Sequence, residues 1–294
     1  AVGVTVTPVD DAPEGTDATL TVNEDTDHVF KLGDFGYSDV ESDAATHIVI
    51  KSLPTKGTLK LSGTDVKVDA EIPVAQLGNL KFKGAADANG TGYDEIGFVV
   101  KNANGVDASA NKLTFNVTPV NDVPVIAVAS SSDKNTNEDT AVVVTGLSVS
   151  DVDNTELHSV VLNVTNGKLT VKADVTDGLA GSGITANGTA SVTLKGTIAA
   201  INKTLADSAG VTFNPTPEFH GDAVVSMTAT DLASGGLTAT TNPAVTVKVA
   251  AVDDLPTGTD ATLTVNEDTD HVFELANFGY SDVESDAATH IVIK

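Results

Sequence analysis

The feature that most constrains this chain is that it repeats itself. Residues 16 to 51, TDATLTVNEDTDHVFKLGDFGYSDVESDAATHIVIK, recur at 259 to 294, with only Lys31/Glu274, Gly33/Ala276 and Asp34/Asn277 differing. Self-similarity at a fixed offset marks an array of modules, so the function belongs to the array. The offset of 243 residues is long for one module, and a shorter punctuation subdivides it. The strings TPVDDAP (Thr7 to Pro13), TPVNDVP (Thr118 to Pro124) and AAVDDLP (Ala250 to Pro256) share a Val-Asp/Asn-Asp-x-Pro core and fall 111 and 132 residues apart. Proline interrupts helix and sheet alike, and a fresh run of strand-like sequence follows each string, as at an interdomain linker. The reading is the end of a preceding domain and its linker at 1–12, a domain at 13–120, a second at 121–252, and a truncated start of a third at 253–294 that repeats 13–51. About 40 residues without disulfides rarely bury enough apolar surface to fold alone.

Charge narrows the partners. There are 41 acidic residues against 16 basic ones, a formal net charge of −25, with no cysteine and no tryptophan. Such a surface repels nucleic-acid phosphates and anionic headgroups and attracts cations, so neither nucleic acid nor membrane insertion is expected. No apolar run approaches the roughly 20 residues that cross a bilayer. The opening AVGVTVTPVDD has neither the basic nor the apolar part of a signal peptide and reads as mid-protein.

The apolar period is two almost everywhere. Ala18, Leu20 and Val22 alternate with threonine, as do Leu113, Phe115 and Val117 with Thr and Asn, and Val245, Val247 and Val249 with Thr and Lys. Further strands are expected at 46–51, 57–61, 95–101, 141–145, 159–164, 168–172, 190–194 and 223–230. Short strands separated by Gly, Asn and Asp turns predict an all-β chain of tandem immunoglobulin-like β-sandwiches rather than a parallel sheet. One segment departs from the pattern: GTIAAINKTLADS, Gly196 to Ser208, spaces Ile198, Ile201 and Leu205 for a short crossover helix. Only a brief counterpart is expected in the first domain, near Pro73 to Asn79.

The carboxylates fall at strand ends. The first strand of each module runs into NEDT (Asn23 to Thr26, Asn137 to Thr140, Asn266 to Thr269), at one end of the sandwich taken as the bottom. The next strand leads to an acidic loop at the top: SDVESD with Asp39, Glu41 and Asp43, SDVDNTE with Asp151, Asp153 and Glu156, and SDVESD again with Asp282, Glu284 and Asp286. Asp94 and Asp222 precede late strands and return to the bottom, while Asp231 and Asn102 follow those strands at the top. Stacking such modules end to end would gather bottom, linker and top acids. Calcium suits that set, since it takes six to eight oxygen ligands in irregular geometry, whereas zinc wants nitrogen and sulfur and magnesium a tighter octahedron.

The expected metal ligands at the central junction are Glu24, Asp94, Asn121, Asp122, Asp151, Asp153 and Asp231. At the next they are Glu138, Asp222, Asp253, Asp254, Asp282 and Glu284, and at the first Asp10, Asp11, Asp39 and Glu41. Asn102 stands where Asp231 does, so a less charged first site is expected. Each acid taken singly could equally be a turn or capping residue.

The NEDT string, the acidic D-V-D/E loop, the FNPTPEFHGD turn at Phe213 to Asp222 and the V-N-D-x-P linker resemble the cadherin-like repeats of giant bacterial RTX-type surface adhesins. TLKGTIAAINKTLADSAGVTFNPTPEFHG is especially similar to repeats of those biofilm proteins. The resemblance covers essentially the whole chain, although the first domain's turn, KGAADANGTGYDE, lacks the proline. It implies cadherin-like sandwiches in an extended array, Ca2+ at interdomain junctions, type I secretion, an extracellular place on the bacterial cell surface, and a spacer that carries an adhesive tip. The partners implied are neighbouring domains of the same array, with a glycan or a host or bacterial surface met through other domains.

No enzyme is expected. None of His28, His47, His158, His220, His271 and His290 sits in an HExxH motif or beside a Gly-x-Ser-x-Gly elbow. A carboxylate pair working on sugars would want a cleft and aromatic platforms, and aromatic residues are 4% of the chain. A calcium-dependent carbohydrate- or protein-binding module is the alternative, favoured by an acidic site away from any linker.

Overall fold

The computed structural model describes residues 2–293 apart from 8, 130–132, 154–155, 233–235 and 241–244. Pro8 of the first linker and Asn154 and Thr155 of the second acidic loop lie outside the described residues. The chain forms two compact units, Ala1–Asp122 and Val123–Lys294. No described helix is long and apolar enough to cross a membrane.

Unit 1 is a β-sandwich. Its larger sheet runs in the order Ala18–Asn23, Asn111–Thr118, Gly90–Lys101, His47–Ser52, Glu71–Pro73, with the first strand parallel to its neighbour and the others antiparallel. The facing sheet is His28–Val29, Leu80–Lys83, Thr58–Leu61, Thr64–Asp65. Period-two patterning sets which side faces inward: in Asn111–Thr118 the buried residues are Leu113, Phe115 and Val117. Phe82 of one sheet stacks on Phe115 of the other with ring centroids 3.8 Å apart, and Phe35 meets Phe98 edge-on at 5.0 Å. The first pair joins the two sheets through the core, and the second packs the 3-10 turn Leu32–Phe35 onto the larger sheet. The expected brief counterpart helix is a 3-10 turn at Val74–Asn79.

Unit 2 repeats the plan with additions. Its main sheet orders Lys134–Asn137, Val245–Ala250, Gly221–Asp231, His158–Val164, Ser191–Gly196 and Ile184–Thr185, again with a parallel first pair. Val142–Val143, Val211–Pro215 and Gly167–Val171 form a second sheet, and Val125–Val128 pairs with Leu147–Ser150. The helix spans Ile198–Ala206, with Thr197 as its N-cap accepting from the Ala200 N–H. Its apolar stripe, Ile198, Ile201 and Leu205, is buried. Asn202 clasps the Val149 backbone through both amide atoms, at 2.9 and 2.7 Å, and so ties the helix to a strand.

The duplicated segment does not fold twice. In unit 1 it contains the strands Ala18–Asn23, His28–Val29 and His47–Ser52, whereas the described residues of its copy hold no strand and keep the 3-10 turn Leu275–Phe278, with Ser281 bridged to Thr257 just ahead of the copy. The local parts are reproduced closely. Tyr37 donates to the Asp43 carbonyl at 2.5 Å and Tyr280 to that of Asp286 at 2.6 Å. Gly36 and Gly279 both close their turns in the left-handed region, at φ 55 and 52. What is missing is partners: in unit 1 the three strands pair with Asn111–Thr118, Leu80–Lys83 and Gly90–Lys101, all later in the repeat than the copied stretch.

Candidate metal centres

At the base of unit 1 the parallel pair ends with Asn23 beside Thr118, and the Glu24 N–H donates to the Thr118 carbonyl at 3.0 Å. Glu24 is fully buried. One carboxylate oxygen accepts from the Val120 N–H at 2.8 Å and the other from the Asn89 side-chain amide at 3.1 Å. The glutamate therefore fastens the first strand, the loop before Gly90–Lys101 and the start of the linker to one another. Beside it, Asp25, Asp87 and Asp122 place carboxylate oxygens within 4.8 Å of one another. Asp25 and Asp87 both occupy the left-handed region, at φ 58 and 54, which aspartate tolerates better than most residues.

Two buried oxygens test whether a cation fits. Asp25 Oδ2 and Asn121 Oδ1 are shielded from solvent and accept no hydrogen bond. An unsatisfied buried acceptor costs about 1–3 kcal/mol, more when charged, and converging carboxylates repel. A hard divalent cation relieves both conflicts, and a donor set made only of oxygen is the calcium type rather than the zinc type.

The base of unit 2 is built the same way. The Glu138 N–H donates to the Ala250 carbonyl at 2.9 Å, and the buried Glu138 carboxylate accepts from the Val252 N–H at 2.5 Å. Asp139, Glu218 and Asp254 bring carboxylate oxygens within 4.8 Å, again with the first two in the left-handed region, at φ 55 and 61. Desolvation, then the charges of Asp139 and Asp254, push the Glu218 carboxyl above its ordinary range. The Asp254 N–H donates to Glu284 at 3.3 Å, which brings one predicted acid of the final segment to the same linker.

Of the predicted bottom and linker residues, the clusters include the linker acids Asp122 and Asp254, with the bottom acids Glu24 and Glu138 fastening the linkers. They do not include Asp94 or Asp222. Asp94 is turned inward, where its two oxygens accept the N–H groups of Thr55, Lys56, Gly57 and Glu95 at 2.8 to 3.0 Å. Burial would raise its pKa, but these four donors together hold the carboxyl below its ordinary value of 3.8. It is a clasp for a tight turn. Asp222 is exposed on the main sheet opposite Lys248. Their places are taken by Asp87 and Glu218, each three residues before a glycine with positive φ, Gly90 and Gly221. That shared spacing was the signal in the sequence, as was the aspartate following each predicted glutamate, Asp25 and Asp139.

The top of unit 1 gathers the acids expected there. Asn102, almost wholly buried, donates to Asp39 at 2.9 Å, and Asn104 bridges Asp10 at 2.9 Å and Asp43 at 2.6 Å. The Asp11 N–H reaches Glu41 at 3.2 Å. In unit 2, Asp151 accepts from the Asp153 N–H at 3.0 Å and pairs with the buried His158 at 3.1 Å. Asp231 is fully buried and lies opposite His158 in register. Lys101 holds that position opposite His47 in unit 1, so Asp231 sits one step earlier than the place of Asn102. Asp282 accepts from the Asp286 N–H at 2.8 Å, while Asp253 is exposed.

No family model and no curated protein matches this chain. Among solved structures, human protocadherin-24 EC1-2 aligns over 83% of this chain and 100% of its own, at 13% identity and a TM-score of 0.39. Protocadherin gamma B2 extracellular cadherin domains 1-5 align over 87% of this chain and 43% of their own, at 15% identity and a TM-score of 0.40. An endo-fucoidan hydrolase of glycoside hydrolase family 107 aligns over 84% of this chain and 30% of its own, at 18% identity and a TM-score of 0.28. Each likeness is below 20% identity and a TM-score of 0.5, and says nothing of what this chain binds.

Proposed function

We propose that this chain is a calcium-stiffened spacer of a bacterial cell-surface adhesin, of the RTX type that its motifs resemble, secreted by a type I route and serving attachment and biofilm formation. The observation that carries the reading is the shared construction of the two bases. In each, a buried glutamate (Glu24 or Glu138) fixes the first linker residues, and three acids (Asp25, Asp87 and Asp122, or Asp139, Glu218 and Asp254) converge beside it. Bound calcium would supply the positive charge that the converging carboxylates of each base need. The residues then act by position. The buried glutamates keep each linker against its own sandwich, so a cation held by linker and base acids restrains the direction in which the next module leaves. Extracellular calcium modules bind at roughly 0.1–1 mM, within reach of environmental calcium.

The reading is of a binding and spacing part, not an enzyme: His158 is buried against Asp151 and His28 lies against Asp34 at 3.4 Å, arrangements that suit packing. The test is small-angle scattering of the full chain in EGTA and in millimolar calcium, beside calorimetric titration with calcium. Binding with a stiffer, longer profile is expected. No calcium uptake, or uptake with unchanged scattering, would overturn the spacer reading.

A further inference from the structure

The chain is strongly acidic, but one face of unit 1 is not. On the smaller sheet the outward side chains of Thr58–Leu61 and Leu80–Lys83 include Thr58, Lys60, Lys81 and Lys83, with Lys60 directly opposite Lys81 and Thr58 opposite Lys83. They line a groove of about 390 Å³, which Ser62 and Asn79 edge with further polar groups and Asp27 with one carboxylate, against three lysines. Like charges directly opposite on paired strands destabilise a sheet, and a break in a local rule without a structural return points to function. Lys81 leans on Asp27 at 2.9 Å and Lys60 on Asp65 at 3.5 Å, both solvent-exposed pairs of small worth. Lys83 makes no contact ion pair among the described residues. The hydrogen bond and charge of Lys81, joined by the charge of Lys83, hold the Asp27 carboxyl below its ordinary value.

Unit 2 shows that the fold does not require this arrangement. Gly57 and Gly167 are equivalent, since a Cβ at either would strike the ring of the paired phenylalanine, Phe82 or Phe213, and the next carbonyl, of Lys83 or Asn214. From that match, register puts Lys168 opposite Asn214 and Thr170 opposite Thr212 where unit 1 has Thr58 opposite Lys83 and Lys60 opposite Lys81. The same sheet thus forms with a Thr–Thr pair in place of the Lys–Lys pair.

We propose that this groove binds an acidic sugar without calcium, its anionic group held by Lys60, Lys81 and Lys83 and its hydroxyls by Thr58, Ser62 and Asn79. The volume falls in the class of small-molecule sites, about 300–1,000 Å³. The chain's net charge of −25 repels a second copy strongly at long range and a small anion less, so the three lysines act on the sugar at short range. With no aromatic platform, binding rests on charge and hydrogen bonds and weakens with salt.

The test titrates the full chain with trigalacturonate in EGTA, with maltotriose as the neutral control. The variant Lys60→Thr, Lys81→Thr, Lys83→Asn borrows the residues that unit 2 carries. The full chain is expected to bind trigalacturonate and not maltotriose, and the variant to lose at least tenfold in affinity while its melting temperature is unchanged or higher. No binding by the unaltered chain, or equal binding by the variant, overturns the proposal. So does sedimentation showing that the chain self-associates through these lysines and ignores trigalacturonate, which assigns the face to a second copy. EGTA keeps this outcome separate from that of the calcium reading.

Discussion

The Val120 N–H donates to the Glu24 carboxylate at 2.8 Å, joining residues 96 apart in sequence at the point where the sandwich gives way to the linker. The same bond joins Val252 to Glu138. Removing the fully buried carboxylate takes the acceptor from both the Val120 N–H and the Asn89 amide and leaves a gap at the base of the core. Glu24→Ala is therefore expected to lower unit 1 stability by about 1–3 kcal/mol, measured by calorimetric melting in EGTA so that no cation contributes.

The two roles of carboxylate at the base of unit 1 are separable. Asp25→Asn with Asp87→Asn is expected to weaken calcium binding at least tenfold, measured by titration, with little change in calcium-free melting. Asp94→Asn should do the reverse. It leaves calcium uptake intact and lowers melting, because an amide offers one acceptor oxygen where four N–H groups now converge on two.

Asp94 also predicts an acid response. Its folded-state pKa lies below the ordinary 3.8, so its stabilising contribution is complete above that value and disappears as pH falls through the lower, folded one. The gap in melting temperature between the unaltered chain and Asp94→Asn is expected to be widest near about pH 6 and to narrow toward about pH 2. A gap that stays constant over that range would remove Asp94 from the explanation.

The duplicated segment offers an internal control for hydrogen exchange. Amides of Ala18–Asn23 that enter the parallel pairing are expected to be protected, and those of 261–266, identical in sequence, to exchange at rates near those of open chain. Equal protection would mean that the second copy finds strand partners in solution.

That contrast also shows what the sequence could and could not reveal. Alternation marked many strands of both sandwiches but not, for example, Glu71–Pro73, Leu80–Lys83, Val125–Val128 or Val211–Pro215, and the spacing of Ile198, Ile201 and Leu205 marked the helix, because period is a local property while pairing is not. The placement of Glu24 and Glu138 at a strand end and of Asp122 and Asp254 in a linker was legible for the same reason, although the two glutamates hold linker N–H groups rather than join the acidic triads and Asp253 is exposed. Asp94 misled because nothing near it in sequence shows that the Thr55–Gly57 turn, almost 40 residues earlier, folds over its carboxylate. Asp87 and Glu218 were overlooked because their left-handed backbone, not their neighbours' polarity, aims them at the cluster. The Lys60–Lys81 opposition depends on strand register, which spacing alone does not supply.

The copy that keeps its turns but not its strands carries a lesson about how such chains can grow. An acidic loop such as Asp282 to Asp286 holds its shape from a few adjacent residues, so recombination can move it in a short piece of gene and deliver it intact. A sandwich cannot be moved that way, since its opening strand is paired with its closing one. The acidic loop is thus a property of a short stretch, whereas the base, where Glu24 and Glu138 meet the linker, belongs to a whole module from opening strand to closing strand.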